Sequence, residues 1–132
     1  MNQIFTLKEP KNKINQPLDL FKNIEKINID YNQENLLLFC LNTKNQVIHS
    51  EIMFKGGLNS SIIDPKTLFR KALTHNSNSI IIAHNHPSGN LKPSIEDSRV
   101  FENIKKVGEI LTIKCLDSVI FNENEFYSMA EA

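Results

Sequence analysis

The sequence predicts a mixed α/β fold in a single domain, because helical and strand patterns alternate along one short chain. The chain has 132 residues, of which 40% are hydrophobic, which is enough for one compact core but too little for two. Apolar residues recur at helical spacing in three segments, and apolar runs bounded by turn residues predict the strands. The expected order of helix, two strands, helix, strand, helix and two strands favours helices packed on a central sheet.

The start of the chain divides into a polar arm and a helix. Residues 1–16 have no hydrophobic period, so they are interpreted as an extended or poorly ordered N-terminal arm, and the domain is expected over residues 17–132. A helix is predicted from Pro17 to about Asn28. Its buried face is assigned to apolar residues that recur at a spacing of three: Leu18, Phe21, Ile24 and Ile27.

Two extended segments in the next part of the chain predict a β-hairpin. The apolar run 35–41 and the segment 46–54 flank a polar cluster of Asn, Thr, Lys and Asn, which is typical of a turn. A further short strand is expected over residues 60–63. The first half of the chain therefore contributes at least two neighbouring strands.

Capping signals predict two more helices. A helix over residues 65–76 starts behind Asp64, a residue type that favours helix N-termini, with proline at the first helical position. Another helix over residues 95–107 is expected to end at Gly108. Their apolar faces are assigned to Leu68, Phe69, Ala72 and Leu73 in the earlier helix and to Val100, Phe101, Ile104 and Val107 in the later one.

Three further strands complete the predicted sheet. The β-branched run 79–83 is short enough to be a buried strand, and it leads into a His-Asn-His-Pro-Ser-Gly segment that stops it. Residues 112–121 and 125–129 flank Asn-Glu-Asn, which predicts a second hairpin.

Two histidines follow this buried strand, at a spacing that favours metal binding. His84 and His86 are two residues apart, so in a strand their imidazoles project from the same face. Such nitrogen ligands suit Zn²⁺, and a catalytic zinc typically takes three protein ligands and leaves one position for water. Asp97 is the best candidate for the third ligand, because a helix that begins at Ser94 would carry its first-turn carboxylate back toward the strand end.

Two further residues are candidates for catalysis. Glu51, on the second strand of the first hairpin, could take a proton from a zinc-activated water and give it to a leaving amine. Ser94 could donate a hydrogen bond to the oxyanion of a tetrahedral intermediate. Each residue also has an ordinary structural interpretation: Ser94 with Asp97 resembles a capping box, Glu51 could face solvent, and an isolated His-x-His is often a loop pair.

The joint pattern resembles a known motif. His84-x-His86-Pro87, six residues, Ser94-x-x-Asp97 and an upstream glutamate are similar to the JAMM motif of the JAB/MPN metalloprotease-like domains. Four segments resemble the bacterial RadC branch in particular: residues 51–56 (EIMFKG), 83–89 (AHNHPSG), 93–94 (PS) and 116–117 (LD). The resemblance covers roughly residues 30–130.

The resemblance implies zinc bound by His84, His86 and Asp97, with Glu51 as general acid/base and Ser94 supporting the transition state. It also implies a curved mixed sheet flanked by helices, with the layering of cytidine deaminases. Characterised relatives in the superfamily cleave isopeptide bonds, whereas the RadC label points to DNA repair and makes a nuclease a serious alternative.

The chain departs from the RadC pattern at two points. Longer RadC-like proteins carry an N-terminal helical region of the helix-hairpin-helix type, which puts a DNA-binding role taken from that region in doubt. Ser118 stands where the family often has histidine, and it is assigned no catalytic role.

These observations favour a zinc peptidase or isopeptidase that acts on a peptide or protein substrate. A metal-dependent nuclease, a non-catalytic binding module and a non-haem iron oxygenase are the alternatives. Fifteen Lys+Arg balance fifteen Asp+Glu, so any contact with nucleic acid would have to be local. The residues do not indicate an oligomeric state.

The lengths of the apolar runs and the spacing of the cysteines predict the cellular location and the state of the two thiols. The longest apolar runs fall far short of the ~20 residues that a membrane-spanning helix needs, and residues 1–10 show no secretion signal. A cytoplasmic protein without a membrane partner is expected. Cys40 and Cys115 have no CxxC spacing, so both are interpreted as reduced core thiols.

Overall fold

The computed structural model describes residues 12–56 and 64–131 and contains a mixed α/β domain. Its elements in chain order are α1 (Pro17–Ile24), β1 (Asn35–Leu41), β2 (Val47–Lys55), α2 (Pro65–Thr74), β3 (Ser79–Asn85), α3 (Ile95–Leu111), β4 (Lys114–Phe121) and β5 (Phe126–Ser128). The predicted fold class is confirmed. The short strand expected over residues 60–63 lies outside the described residues.

A five-stranded sheet with the order β2-β1-β3-β4-β5 organises the domain. The pairs β1/β2, β1/β3 and β4/β5 are antiparallel, whereas β3 and β4 are parallel and are joined through α3. Every residue of β1 and β3 is buried. Strands covered on both faces have no solvent side, which explains why these two segments are continuous apolar runs without alternation.

Helices cover the two faces of the sheet and create two hydrophobic clusters. On one face, α2 and α3 pack on the sheet and bury Leu36, Leu38, Cys40, Leu68, Phe69, Ala72, Ile80, Ile82, Phe101, Ile104, Ile113 and Cys115. On the other face, α1 and the residues near it bury Ile14, Leu20, Phe21, Ile24, Leu37, Phe39, Leu41, Ile81, Ala83, Val119 and Phe121. Both cysteines are buried free thiols, as predicted.

The inward face of α1 differs from the prediction. The helix ends at Ile24, Leu18 is 42% exposed, and Leu20 is buried in its place. With 3.6 residues per turn, two positions nine residues apart lie about 180° apart around a helix. Leu18 and Ile27 could therefore not share one face, and the spacing of three was the wrong period. Leu73 of α2 is likewise 55% exposed, because its neighbours occupy the inward stripe.

The helix α3 continues one turn beyond its predicted end. Gly108 lies within the helix, and the chain turns at Thr112, which adopts a left-handed conformation with φ of 61°. The Ile113 N–H donates to the Gly108 carbonyl at 2.8 Å, which closes the helix in a Schellman-type arrangement. A Cβ at Gly108 would lie 2.3 Å from the Ile113 carbonyl oxygen. This glycine therefore permits a close approach of backbone instead of ending the helix.

The segment before α1 pairs with the start of β2. Lys13 forms an isolated antiparallel bridge with Gln46, the Val47 N–H donates to the Asn12 carbonyl, and the side chain of Ile14 is buried. These contacts leave the outer edge of β2 beyond Val47 without a paired strand among the described residues. Across the described ranges, none of the helices combines the length and the apolar character that crossing a membrane requires.

Candidate metal centre

The end of β3 carries the two predicted histidine ligands. His84 lies opposite Leu36 of β1 and is 6% exposed, so its imidazole is on the sheet face that α2 and α3 cover. His86 follows the last strand residue and its side chain is 21% exposed. The two ring centroids are 5.1 Å apart. Strand alternation therefore brings both rings to one side of the strand end, as the sequence predicts.

Ser94 and Asp97 form a capping box at the start of α3. The Ser94 hydroxyl accepts a hydrogen bond from the Asp97 N–H at 3.0 Å, and the Asp97 carboxylate accepts one from the Ser94 N–H at 2.8 Å. This reciprocal pair holds the Asp97 side chain near the helix N-terminus, which favours negative charge. The capping interpretation of Ser94 is confirmed, and its role beside an oxyanion stays a prediction.

The three predicted ligands converge on one point. Nε2 of His84 lies 3.0 Å from Oδ1 of Asp97, and Nε2 of His86 lies 3.1 Å from Oδ2 of the same carboxylate. One ligand atom from each residue lies within 4.8 Å of the other two. Tetrahedral zinc with ligands about 2.0–2.1 Å away would separate them by roughly 3.3 Å, so small side-chain adjustments are enough to hold the ion.

The hydrogen bonding of the two imidazoles fits a metal. Nδ1 of His86 lies 2.7 Å from the Asn90 carbonyl oxygen, which can only accept, so Nδ1 carries a hydrogen. Nε2 of the same ring lies 3.1 Å from Oδ2 of Asp97 and is the nitrogen left to bind a metal. Nε2 of His84 is buried and, among the described residues, has no partner in hydrogen-bonding geometry despite its proximity to Asp97. A cation placed between the two Nε2 atoms and the Asp97 carboxylate would contact all three groups, and this donor set suits zinc.

The pKa of Asp97 agrees with this arrangement. Burial alone would raise the pKa of the carboxyl group, but the adjacent His84 and the hydrogen bonds from Ser94 outweigh burial and hold the pKa well below its usual range. Asp97 is therefore ionised at any pH near neutrality. An ionised carboxylate is the form that binds a metal.

An asparagine network fixes the strand end that carries the histidines. Asn85, between them in sequence, is fully buried; its side-chain oxygen accepts from the Asn35 N–H at 2.8 Å, and its amide donates to the Gln33 carbonyl at 2.9 Å. No role was predicted for Asn85 or Asn35 from the sequence. An asparagine between two candidate ligands, at the end of an apolar strand, was the available signal, since a buried amide must find partners.

The loop after His86 is held by a turn and by a contact with the β4–β5 connection. The Gly89 N–H donates to the His86 carbonyl at 2.8 Å, and Gly89 adopts φ of +79°, which glycine tolerates without strain. The side chain of Asn122 donates to the Gly89 carbonyl at 3.0 Å. These bonds place Asn90 where its carbonyl orients the His86 ring.

Glu51 does not contact this cluster in the structure. It lies opposite Leu38 on the same sheet face as His84, two strands and two residues away, so the two Cα atoms are about 12 Å apart. Its carboxylate oxygen Oε1 instead lies 2.8 Å from Nε2 of His49 and 3.6 Å from Nζ of Lys71. The acid/base role of Glu51 therefore stays a prediction, although its side chain is on the correct face.

A second acidic residue, Asp117, holds the end of the chain. It is buried on β4 and accepts hydrogen bonds from the Ser118 N–H, the Ala130 N–H and the Ser128 hydroxyl. The Leu-Asp pair that resembles the RadC pattern thus supplies a structural anchor, since Asp117 ties the residues after β5 back to β4.

A mixed sheet with helices on both faces, a His-x-His pair at a strand end and an aspartate one turn into the next helix define a JAB-type domain. The model of the RadC-like JAB domain family matches residues 14–132, and the chain belongs to this family.

Curated relatives agree with this assignment. A UPF0758 protein of Clostridium beijerinckii is 43% identical over 128 residues, which cover 96% of this chain and 56% of the relative. UPF0758 proteins of Staphylococcus aureus and Clostridium perfringens are 43% and 42% identical, over 91% and 90% of this chain and 55% and 52% of theirs. The chain thus spans about half the length of the curated relatives it matches.

Proposed function

We propose that this domain is a zinc-dependent hydrolase in which His84, His86 and Asp97 hold the metal. The convergence of two imidazole Nε2 atoms on one ionised carboxylate carries this proposal, because Nε2 of His84 is buried there without a hydrogen-bond partner among the described residues. Zinc bound there would polarise a water molecule and lower its pKa from 15.7 to about 7. Asn85 and Asn90 support the proposal, since they fix the ligands before the metal arrives.

Glu51 is the proton carrier in this proposal. To act, its carboxylate has to leave His49 and Lys71 and turn along the sheet face toward the end of β3. Its side chain is only half-buried, which leaves room for a change of rotamer. Once there, it would accept a proton from the attacking water and deliver it to the departing amine.

Ser94 would stabilise negative charge that develops on the substrate. Its hydroxyl oxygen accepts the Asp97 N–H, so the hydroxyl hydrogen can be donated elsewhere. Ser94 is exposed at the first turn of α3 beside Asp97, where a substrate carbonyl oxygen could approach. Donors of this kind typically contribute a few kcal/mol to the transition state.

The substrate class we propose is an extended peptide or isopeptide-linked chain. The outer edge of β2 after Val47 has no paired strand among the described residues, and Glu51 lies on this strand. An extended chain can add to such an edge through main-chain hydrogen bonds. That geometry would lay the chain along β2, the strand that carries Glu51.

The first test is whether Glu51 acts in catalysis without holding the metal. Glu51→Gln should retain the zinc held by His84, His86 and Asp97, yet lose at least 100-fold in cleavage, because an amide cannot carry the proton. The probes are fluorogenic libraries of ordinary and lysine-ε-linked peptides, with zinc measured by mass spectrometry. Glu109→Gln, at an exposed position of α3, is the matched control and should behave as wild type.

Two results would count against the proposal. Peptide cleavage that survives Glu51→Gln would remove Glu51 from the mechanism. Cleavage of a short DNA duplex without cleavage of either peptide library would overturn the peptide-bond assignment while keeping a metal-dependent hydrolase.

A further inference from the structure

A second group of potential metal-ligand side chains includes Glu51 and two histidines. His49 and Glu51 are two residues apart on β2 and project from the same face, and His75 caps the C-terminus of α2 above them. Their potential ligand atoms all lie within 4.8 Å of one another. The rings of His49 and His75 are stacked, with centroids 3.6 Å apart and planes inclined by 10°. Two elements of the fold therefore bring two imidazoles and one carboxylate together.

The spacing of these atoms suits a tetrahedral ion. Nε2 of His49 is 2.8 Å from Oε1 of Glu51, and the largest separation in the group is at most 4.8 Å. Ligands on a tetrahedral zinc are roughly 3.3 Å apart, which lies between these values. One of the two stacked rings has to rotate for both in-plane lone pairs to point at the ion. The side chains of His49 and Glu51 are 27% and 26% exposed, so an ion could enter from solvent and keep a water in its fourth position.

One nearby group favours the binding of a cation by these three residues, and another opposes it. The last carbonyl groups of α2 carry partial negative charge at its C-terminus, where His75 lies, and they favour a cation. Opposing this, the Lys71 ammonium lies 3.6 Å from the same Glu51 oxygen. Lys71 is 46% exposed, so it can withdraw into solvent when a metal binds. Lys71 then competes with the metal for Glu51.

We propose that His49, Glu51 and His75 form a second zinc site, weaker than the first and inhibitory when filled. The four histidines of the chain thereby divide into two pairs, one pair for each site. The ligands of the second site are more exposed and are opposed by Lys71, which accounts for the lower affinity. The inhibitory effect rests on the proposed function: a zinc ion bound to Glu51 holds the carboxylate away from the water that it would deprotonate.

The test is a titration of the metal-free protein with Zn²⁺, with bound metal measured by equilibrium dialysis. Wild type should bind two ions in separate phases. His49→Gln with His75→Gln should keep the tight phase and lose the weak one, and His84→Gln with His86→Gln should do the reverse. Circular dichroism checks that each variant is folded, and the single variant His75→Asn, at a half-exposed helix end, should weaken the weak phase at least 10-fold.

The substitution Lys71→Gln distinguishes a zinc site from a cluster that binds no metal. Removal of the competing ammonium should tighten the weak phase by about 3- to 10-fold and leave the tight phase unchanged. Lys66→Gln, an exposed lysine on the same helix, is the matched control and should change neither phase. A single bound zinc in wild type, or a weak phase that is insensitive to the His49, His75 and Lys71 substitutions, would overturn the second site.

Activity measurements separate this inference from the proposed function. If peptides are cleaved, excess zinc should inhibit wild type over the concentration range of the weak phase, and His75→Asn should shift that inhibition to at least 10-fold higher zinc. Inhibition that is unchanged in His75→Asn would refute the inhibitory role. Two binding phases in a protein that cleaves nothing would support the second site and count against the proposed function alone.

Discussion

Burial affects the ionisable residues of this domain in two opposite ways. At Asp97 the neighbouring His84 and the hydrogen bonds from Ser94 outweigh burial and lower the pKa. At Cys115 burial is the largest contribution, and it raises the pKa of the thiol to about 12. Because Cys115 packs among apolar side chains under α3, its thiolate has little to stabilise it. Asp97 is therefore kept ionised, which is the form that binds a cation, and Cys115 is kept neutral.

We predict that Cys115 makes the domain less stable in alkaline solution. The folded pKa of about 12 lies above the unfolded value of about 8.5, so the contribution to stability is complete below pH 8.5 and is lost as the pH rises toward 12. At pH 10 the loss should be about 2 kcal/mol in the free energy of unfolding. Urea unfolding of wild type and Cys115→Ala from pH 7.5 to 10 measures it.

Cys115→Ala removes the titrating thiol, so the difference between its pH dependence and that of wild type measures the effect of Cys115. Cys115→Ala should be less stable than wild type at pH 7.5, because a buried side chain is shortened, but its stability should fall less between pH 8.5 and 10. Parallel curves for the two proteins would show that Cys115 ionises equally in the folded and unfolded states.

At the scale of elements, local sequence patterns correctly predicted features that depend on a single segment of the chain. The bounds of β1 were predicted correctly, since the polar residues on either side of its apolar run mark where the strand begins and ends. The Asp64 cap of α2 is also confirmed, because a cap depends on neighbouring residues only. The face of α1 was mispredicted although its signal is local, because a spacing of three drifts around the helix, whereas the buried Leu20, Phe21 and Ile24 keep the period of 3.6.

The candidate site shows the same division. The His84, His86 and Asp97 cluster was predictable because one strand and the next helix turn contain it. The surroundings of Glu51 were not, since His75 comes from α2 and meets β2 only through tertiary packing. His75 carried no local signal, whereas His49 lies two residues before Glu51 on the same strand, a spacing that the sequence does show.

For the helix α3 we predict that Ser94 affects both stability and rate. Ser94→Ala removes the acceptor of the Asp97 N–H and should cost about 1 kcal/mol in the free energy of unfolding, with a further loss in turnover. Ser94→Asp keeps a capping acceptor without a hydroxyl hydrogen, so it should recover most of the stability and little of the rate. Chemical unfolding and peptide cleavage, measured on the same samples, separate the effects.

The outcome for Ser94→Asp decides the role of the hydroxyl. Full turnover in a stable Ser94→Asp protein would show that Ser94 is a cap only. Zinc content has to be measured alongside, because the added carboxylate lies close to Asp97 and could change metal affinity.

At the scale of the whole molecule, the candidate metal centre lies at one end of β3, outside both hydrophobic clusters. The sheet is covered on both faces by apolar packing that involves no metal ligand. Domains that need zinc to fold lack such a core. Zinc bound at the proposed site would therefore add to a fold that is already formed, since the candidate ligands are held in place by Asn85, Asn90 and the α3 cap.

We predict that chelation of zinc lowers thermal stability without unfolding the domain. Zinc that binds only the folded state contributes about 2.7 kcal/mol at a free concentration 100 times Kd, which for a domain of this size corresponds to roughly 10 °C in Tm. Differential scanning calorimetry with and without chelator measures the shift, and far-UV circular dichroism should be unchanged. Asp97→Asn should lose most of the zinc-dependent increment, because two imidazoles without the carboxylate bind the ion weakly. A chelated wild-type protein that is unfolded at 25 °C would contradict the inference, since the two clusters would then not be sufficient to hold the sheet together.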